Sequence, residues 1–577
     1  MTVAGWIEIL LFLALLTAIT PPLGAYMARV FRGEPVLLTR VAGPVERVTY
    51  RLLRVDPERG QDWKGYARSV LVMSAVFGGL LYLILRTQSV HPWNPRNLGA
   101  PPWDLSFNTA ASFLTNTNWQ YYAGETTMSS FSQMAGLAVQ NFISAGVGIA
   151  VLIAFIRGLA ARSGNQLGVF YVDLTRAILY VLLPLSVVVG LVLVSQGAVQ
   201  SLHGLTQATG LTGQGQTFLT GPVASQEAIK ELGTNGGGFF NVNSAMPYEN
   251  PTWLSNFVEM LAILAIPAAL TATYGRMVEN RRQGWMVFGA MMSLFVVAVA
   301  VVYIAEAHAT PAMHAAGLTG DNLEGKEQRF GIASSALFTA VTTAASCGAV
   351  NAALEALSGF GGVVPMAQIM TGEVIWGGVG SGLYSMLMFV ILGVFIAGLM
   401  VGRTPEFLGK KIEAREVKLT VLGTIAVPMM VLVATAVAIA TKWGAPSIYD
   451  HGPQGFSESL YAYTSQTNNN GSAFAGYTGF VQPNGTNAGA FGISFADVLG
   501  GLAMLAGRFI PLLAALAVAG ALAGKRVAPA GLGTLRTDTP TFGVVLVAVV
   551  LIVALLTFVP ALLLGPVVQG LSDQLYG

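Results

Sequence analysis

Residues 233–240 read GTNGGGFF, and residues 467–476 read TNNNGSAFAG. Both are small, polar, glycine-bearing turns set between long apolar runs. Two looser copies occupy the same place between other runs, TNTNWQ at 115–120 and TTAASCGAVNA at 342–352. Each turn follows an amphipathic stretch and precedes another apolar run. Gly, Asn, Ser and Thr are ordinary loop residues, so one such turn says little. Four in matching positions define a repeat of span, short helix, turn and span.

Working outward, apolar runs lie at 6–28, 69–85, 133–156, 174–194, 253–274, 285–304, 374–400, 419–441, 495–523 and 542–564. Most approach or exceed the roughly 20 residues a helix needs to cross a bilayer. No Lys or Arg precedes the first run, so it reads as a span and not as a cleavable leader. The expected fold is an all-α integral membrane protein with ten transmembrane helices. Four pseudo-fourfold helix/pore-loop/helix repeats span 69–157, 173–275, 284–402 and 417–524. An extra helix at each end covers 1–31 and 541–570, and the whole chain, 1–577, forms one membrane domain.

Composition agrees. Of 577 residues only 10% are charged and 54% are hydrophobic, too little charge for a soluble domain and too little polarity for a disordered one. A net charge of +2 gives no reason to expect a nucleic-acid partner. The single cysteine, Cys347, excludes a disulfide framework or a cysteine metal site. The five histidines fall in outer segments, which argues against transmembrane bis-histidine haem.

The basic residues orient the chain. Twenty-three of the 30 fall in alternate connections, among them Arg29–Arg68, Arg157, Arg276, Arg403, Lys410, Lys411, Arg415 and Lys525. Six (Arg86, Arg96, Lys230, Lys326, Arg329 and Lys442) fall on the other side, and Arg508 sits inside a span. The positive-inside bias then places both termini outside. Eleven acids against those six bases give the outer side an acidic mouth that would concentrate cations.

Non-helical backbone at membrane depth survives only where it is buried in protein or lines a water-filled cavity. Four such turns around one axis would aim carbonyls inward, as in filters that replace a cation's hydration shell. Glycine accepts positive φ and close approach, asparagine tolerates the left-handed region, and each short helix would point its negative end at the cation.

The four motifs, with GTNGGGFFNVNSAMPYENPT at 233–252, closely resemble the channel-like A subunit of the bacterial Kdp potassium-importing P-type ATPase, a member of the wider potassium-transporter superfamily. The resemblance covers essentially the whole chain. It implies a potassium filter built from Asn116, Thr117 and Asn118; Thr234, Asn235 and Gly236; Ser346, Cys347 and Gly348; and Asn469, Asn470 and Gly471, with Thr115 and Gln120 in support. The first turn departs by carrying Asn118 where the others have Gly. The resemblance further implies partners: a P-type ATPase catalytic subunit and two small accessory membrane subunits, in the bacterial plasma (inner) membrane. K+ is the transported ion, and no cofactor is expected. The chain carries no GxxxxGK[ST] phosphate loop and no DKTGT phosphorylation motif, so no catalytic residues of its own are expected. A passive or ion-coupled potassium channel or symporter subunit of the same superfamily is the alternative.

An ionisable residue inside a span marks function by default. Arg508, in LAGRFIP, would oppose direct flow of a cation below the filter. Glu373, in TGEVIWGGVGSG, is its candidate partner. The glycines at 372, 377, 378, 380 and 382 suggest that this helix breaks or packs very closely. Glu259 reads equally well as a structural carboxylate.

Overall fold

The computed structural model describes residues 1–162, 164–479, 494–528 and 534–572. Among them, ten helices are long and apolar enough to cross a membrane: Val3–Arg32, Trp63–Arg86, Ser132–Ala160, Phe170–Gln196, Trp253–Met277, Arg281–Ala315, Ser381–Met400, Ala414–Ala440, Phe495–Ala523 and Pro540–Leu571. They are numbered here as spans one to ten.

Burial sorts them into two classes. Spans three, five, seven and nine bury 89%, 78%, 61% and 67% of their apolar windows, and the other six bury between 28% and 44%. The buried four are the spans that follow each polar turn. A helix that is apolar all round and buried all round belongs to a core, so these four form the inner wall. The remaining spans present apolar side chains outward, such as Leu191 on the fourth and Leu556 on the tenth, as lipid-facing helices must. The added first span packs along the fifth. Gly24 permits this, because a Cβ there would lie 2.5 Å from the Ala269 carbonyl oxygen.

A short helix precedes each turn: Trp103–Leu114, Val223–Leu232, Gly331–Ala344 and Gly452–Thr467. None reaches spanning length, so each enters the protein and stops at its turn.

Three features differ from the sequence expectation. The apolar run at 374–400 is helical only from Ser381. A separate helix, Gly359–Met370, precedes it, and 371–380 between them is non-helical. The cause is local: Gly372 and Gly380 adopt φ +83° and +97°, and Glu373 and Trp376 also stand at positive φ. The break foreseen from the glycines is therefore real, and Glu373 lies within it and not on a helix. Second, the connection after span one contains a helix, Thr39–Leu53. Third, a small antiparallel hairpin pairs Leu205–Thr209 with Gly215–Leu219 ahead of the second turn.

Candidate ion filter

The four turns share one backbone. In each, two left-handed residues flank a middle one: Asn116 and Asn118 around Thr117, Thr234 and Gly236 around Asn235, Ser346 and Gly348 around Cys347, Asn469 and Gly471 around Asn470. The middle amide N–H always donates five residues back. Thr117 reaches the Ser112 carbonyl at 2.9 Å, Asn235 reaches Lys230 at 2.8 Å, Cys347 reaches Thr342 at 2.9 Å and Asn470 reaches Ser465 at 2.8 Å. Each bond closes the end of the short helix and fixes where the chain turns back. Asn118, the departure noted in the sequence, holds φ 55°, which asparagine accepts at little cost. The backbone therefore keeps the pattern that the side chains break.

The turns also abut in order. A Cβ on Gly236 would lie 2.2 Å from the Cys347 carbonyl oxygen, on Gly348 2.2 Å from that of Asn470, and on Gly471 2.0 Å from that of Thr117. Only glycine allows backbones this close. Between the first and second turns, where Asn118 replaces glycine, side chains make the joint. Asn116 Nδ2 donates to the Thr234 carbonyl at 3.0 Å, and Asn235 Nδ2 donates to Asn116 Oδ1 at 2.5 Å. Asn469 Nδ2 donates to Thr117 Oγ1 at 2.9 Å. The four turns thus form a closed ring.

Thr117, Asn235, Cys347 and Asn470 are fully buried. Among the described residues, no protein donor reaches any of their four carbonyl oxygens. Buried carbonyls are nearly always hydrogen-bonded. Four at equivalent positions in one ring make a site for something else that accepts oxygen lone pairs, and a dehydrated cation meets that description.

A second layer braces the ring. Gln120 Nε2 donates to the Gly238 carbonyl at 3.2 Å, and the Gly238 amide returns a bond to Gln120 Oε1 at 3.1 Å. Thr115 and Thr117 hydroxyls meet at 2.7 Å. Three residues absent from the sequence reading join them. Asn141 accepts from Asn118 Nδ2 at 2.7 Å, Ser144 donates to Asn116 Oδ1 at 2.7 Å, and Asn243 Nδ2 donates to the Gly236 carbonyl at 2.7 Å. Asn243 lies just beyond the turn in NVNS, and its proximity was the one available signal. Asn141 and Ser144 lie on span three, where only polar residues on a buried span gave a hint.

Lys230 changes meaning. The sequence reading placed it among the outer bases. Its side chain is fully buried, with Nζ 2.8 Å from Glu227, 3.0 Å from Glu249, 3.7 Å from Glu231 and 2.8 Å from Asn243 Oδ1. Its position matches Ser112, Thr342 and Ser465 in the other turns. In the third and fourth, that hydroxyl accepts from the turn glycine's amide, Thr342 from Gly348 and Ser465 from Gly471, each at 3.0 Å. The ammonium does the bracing instead, through Asn243.

The acidic mouth also needs correction. Asp104, Glu227, Glu231, Glu249, Glu306 and Glu458 are buried, and Glu306 is paired with Lys326 at 2.7 Å. Of the eleven outer acids, the other five, Glu125, Asp321, Glu324, Glu327 and Asp450, retain exposure. The vestibule above the ring, about 830 Å³, is lined largely by neutral groups such as Asn118, Gln120, Tyr121 and Ser472, with Lys326 and Glu327 at its edge.

Below the ring, a cavity of about 40 Å³ is lined by Asn469, Gly507, Arg508, Gly372 and Glu373. Arg508 is buried and lies against Gly148, where an added Cβ would sit 3.2 Å from its guanidinium. Arg508 and Glu373 face one cavity, but no ion pair within 4.0 Å joins them among the described residues; Glu373 Oε2 has no hydrogen-bond partner. The direct pairing expected from sequence is not formed. Glu259 is fully buried, and among the described residues neither carboxylate oxygen has a hydrogen-bond partner.

Among the described residues, ten spanning helices around a ring of carbonyls without protein donors define a channel-like membrane protein. The family model described as potassium-transporting ATPase A subunit matches residues 10–571, and the chain belongs to that family. It is 54% identical over 573 residues to the potassium-transporting ATPase potassium-binding subunit of Methylobacterium nodulans, covering 99% of this chain and 98% of that one. The protein of the same description from Granulibacter bethesdensis is 53% identical over 574 residues, 99% of each. Among solved structures, the potassium transporter TrkH from Vibrio parahaemolyticus aligns with TM-score 0.52 at 15% identity, over 89% of this chain and 98% of that one. That likeness establishes the fold alone.

Proposed function

We propose that this chain is the potassium-binding and translocating subunit of an ATP-driven potassium uptake complex. The observation that carries the proposal is the ring of four buried carbonyls that no protein donor reaches among the described residues. The ion enters from the outer vestibule, sheds water and is held by Asn116, Thr117 and Asn118; Thr234, Asn235 and Gly236; Ser346, Cys347 and Gly348; and Asn469, Asn470 and Gly471. Shared backbone conformation supports reading 69–157, 173–275, 284–402 and 417–524 as four repeat units, with 1–31 and 541–570 outside them. Both termini face outward in the inner membrane, as the basic loops require.

Selection and energy supply are separate tasks. Carbonyls held in a rigid ring can favour one cation by the number and field of their dipoles. Driving uptake requires ATP, which this chain has no motif to bind. A P-type catalytic subunit supplies that work, and two small membrane subunits complete the assembly. Arg508 repels a cation in the cavity beneath the ring, so the ion is diverted and does not leak straight through. Glu373, in the broken helix on the same cavity, marks the side to which it turns.

Purification in mild detergent tests the proposal. Co-elution with an ATPase polypeptide, together with ATP hydrolysis stimulated by potassium, is expected. Isolation as a free dimer that carries passive potassium flux would overturn it.

A further inference from the structure

The helix Thr39–Leu53 has no part in the filter. Val41, Val45, Val48 and Leu52 recur at helical spacing along one edge and are 75%, 51%, 51% and 78% exposed. The opposite side is committed to the protein. Gly43 and Tyr50 are buried. Glu46 accepts from Tyr50 Oη at 2.6 Å, from Arg176 Nε at 3.0 Å and from Tyr180 Oη at 2.6 Å. Arg176 and Tyr180 belong to the first turns of span four, Phe170–Gln196. The helix is therefore strapped to the end of a span, between two others that end at Arg32 and begin at Trp63. That is where bilayer meets water.

Its charges are unbalanced. Arg40, Arg47 and Arg51 lie on the helix and Arg54 caps it, and none forms a salt bridge among the described residues. Its one acid, Glu46, is already taken by Arg176. A helix with an apolar edge beside free arginines lies in the interfacial plane, and basic side chains there are drawn to anionic headgroups. We propose that Thr39–Leu53 is an interfacial anchor. Val41, Val45, Val48 and Leu52 enter the cytoplasmic leaflet, and Arg40, Arg47, Arg51 and Arg54 bind anionic phospholipid phosphates. The leaflet rests on the orientation proposed above; the anchoring itself does not.

The test uses the whole purified complex in nanodiscs of phosphatidylcholine with one quarter phosphatidylglycerol. Nitroxide labels are placed on Val48→Cys and Arg47→Cys; Cys347 is fully buried and stays unlabelled. The Val48→Cys label should collide more with oxygen than with an aqueous nickel chelate, and the Arg47→Cys label the reverse. A Val48→Cys label open to nickel, or shielded from both quenchers by a protein partner, overturns the anchor. With spin-labelled phosphatidylglycerol, the triple change Arg40→Gln, Arg47→Gln and Arg51→Gln should weaken lipid retention about fivefold per arginine. An unchanged motionally restricted fraction overturns the headgroup site. Labelling of Arg54→Cys by an impermeant maleimide from outside intact cells would overturn the orientation, while the depth measurement separately decides the anchor.

Discussion

Gly348→Ala probes the ring most directly. Gly348 stands at φ +102°, a conformation that costs an L-residue about 1–3 kcal/mol. The new methyl would also meet the Asn470 carbonyl oxygen at 2.2 Å, and ordinary contact begins at 3.4 Å. Backbone is on both sides, so no side chain can swing away, and the third and fourth turns must part by about 1 Å. A displacement of that size at a reacting or binding centre costs on the order of 100-fold, equivalent to about 3 kcal/mol. The readout is the half-saturating potassium concentration for ATP hydrolysis by the purified complex, with potassium-limited growth beside it. It should rise on the order of 100-fold. Gly99→Ala is the control: a Cβ there meets nothing within 4 Å, and affinity should hold within about threefold. Unchanged potassium affinity and unchanged discrimination against sodium in Gly348→Ala would refute the packed ring.

Three further outcomes follow from the surroundings of the ring. Lys230→Met leaves Glu227, Glu231 and Glu249 buried without their cation, and breaking such a cluster costs about 3–5 kcal/mol; thermal unfolding should occur at clearly lower temperature, and an unchanged midpoint would contradict the bracing role. Arg508→Met removes the positive charge facing the cavity under the ring, so reconstituted vesicles should lose coupling and leak potassium; full ion retention would count against Arg508 as a barrier. Burial and the neighbouring Asp450 push the Glu458 carboxyl up to about 8. The native state then holds a proton that the unfolded chain releases near 4.5, so this group's contribution to stability falls as pH rises from about 4.5 to 8. Glu458→Gln should flatten that slope and raise the unfolding midpoint at pH 8; an identical pH profile would show that the fold does not hold Glu458 protonated.

Much of the fold was legible because the bilayer imposes a minimum length on every span. The ten apolar runs reappear among the described residues as ten helices, most ends shifted by a few residues and the sixth extended by eleven at its C-terminal end. The break at 371–380 was visible as a glycine cluster, although its helical limit at Ser381 was not. The turn residues were legible as composition, but their order around the ring was not. That order lives in contacts such as Asn116 with Thr234, 118 positions apart in the chain. Lys230 was misjudged because a count by side treats every charge as solvated, whereas three glutamates from 227 to 249 enclose this one. The helix Thr39–Leu53 was missed because its arginines were read only as an orientation signal.

The non-helical segment at 371–380 is joined to the ring itself. The Val379 amide donates to Thr234 Oγ1 at 2.8 Å, and the Gly378 amide donates to the Ala345 carbonyl at 2.6 Å. Thr234 belongs to the second turn, and Ala345 immediately precedes the third. A Cβ on Gly380 would strike the Gly148 carbonyl at 2.2 Å, so the segment is also wedged against span three. It cannot straighten into helix without giving up these bonds and moving Glu373 in the cavity wall. Ring geometry and cavity shape are therefore mechanically linked through backbone. Such a link carries a change in ring geometry to the cavity wall, and an uninterrupted seventh span would not provide it.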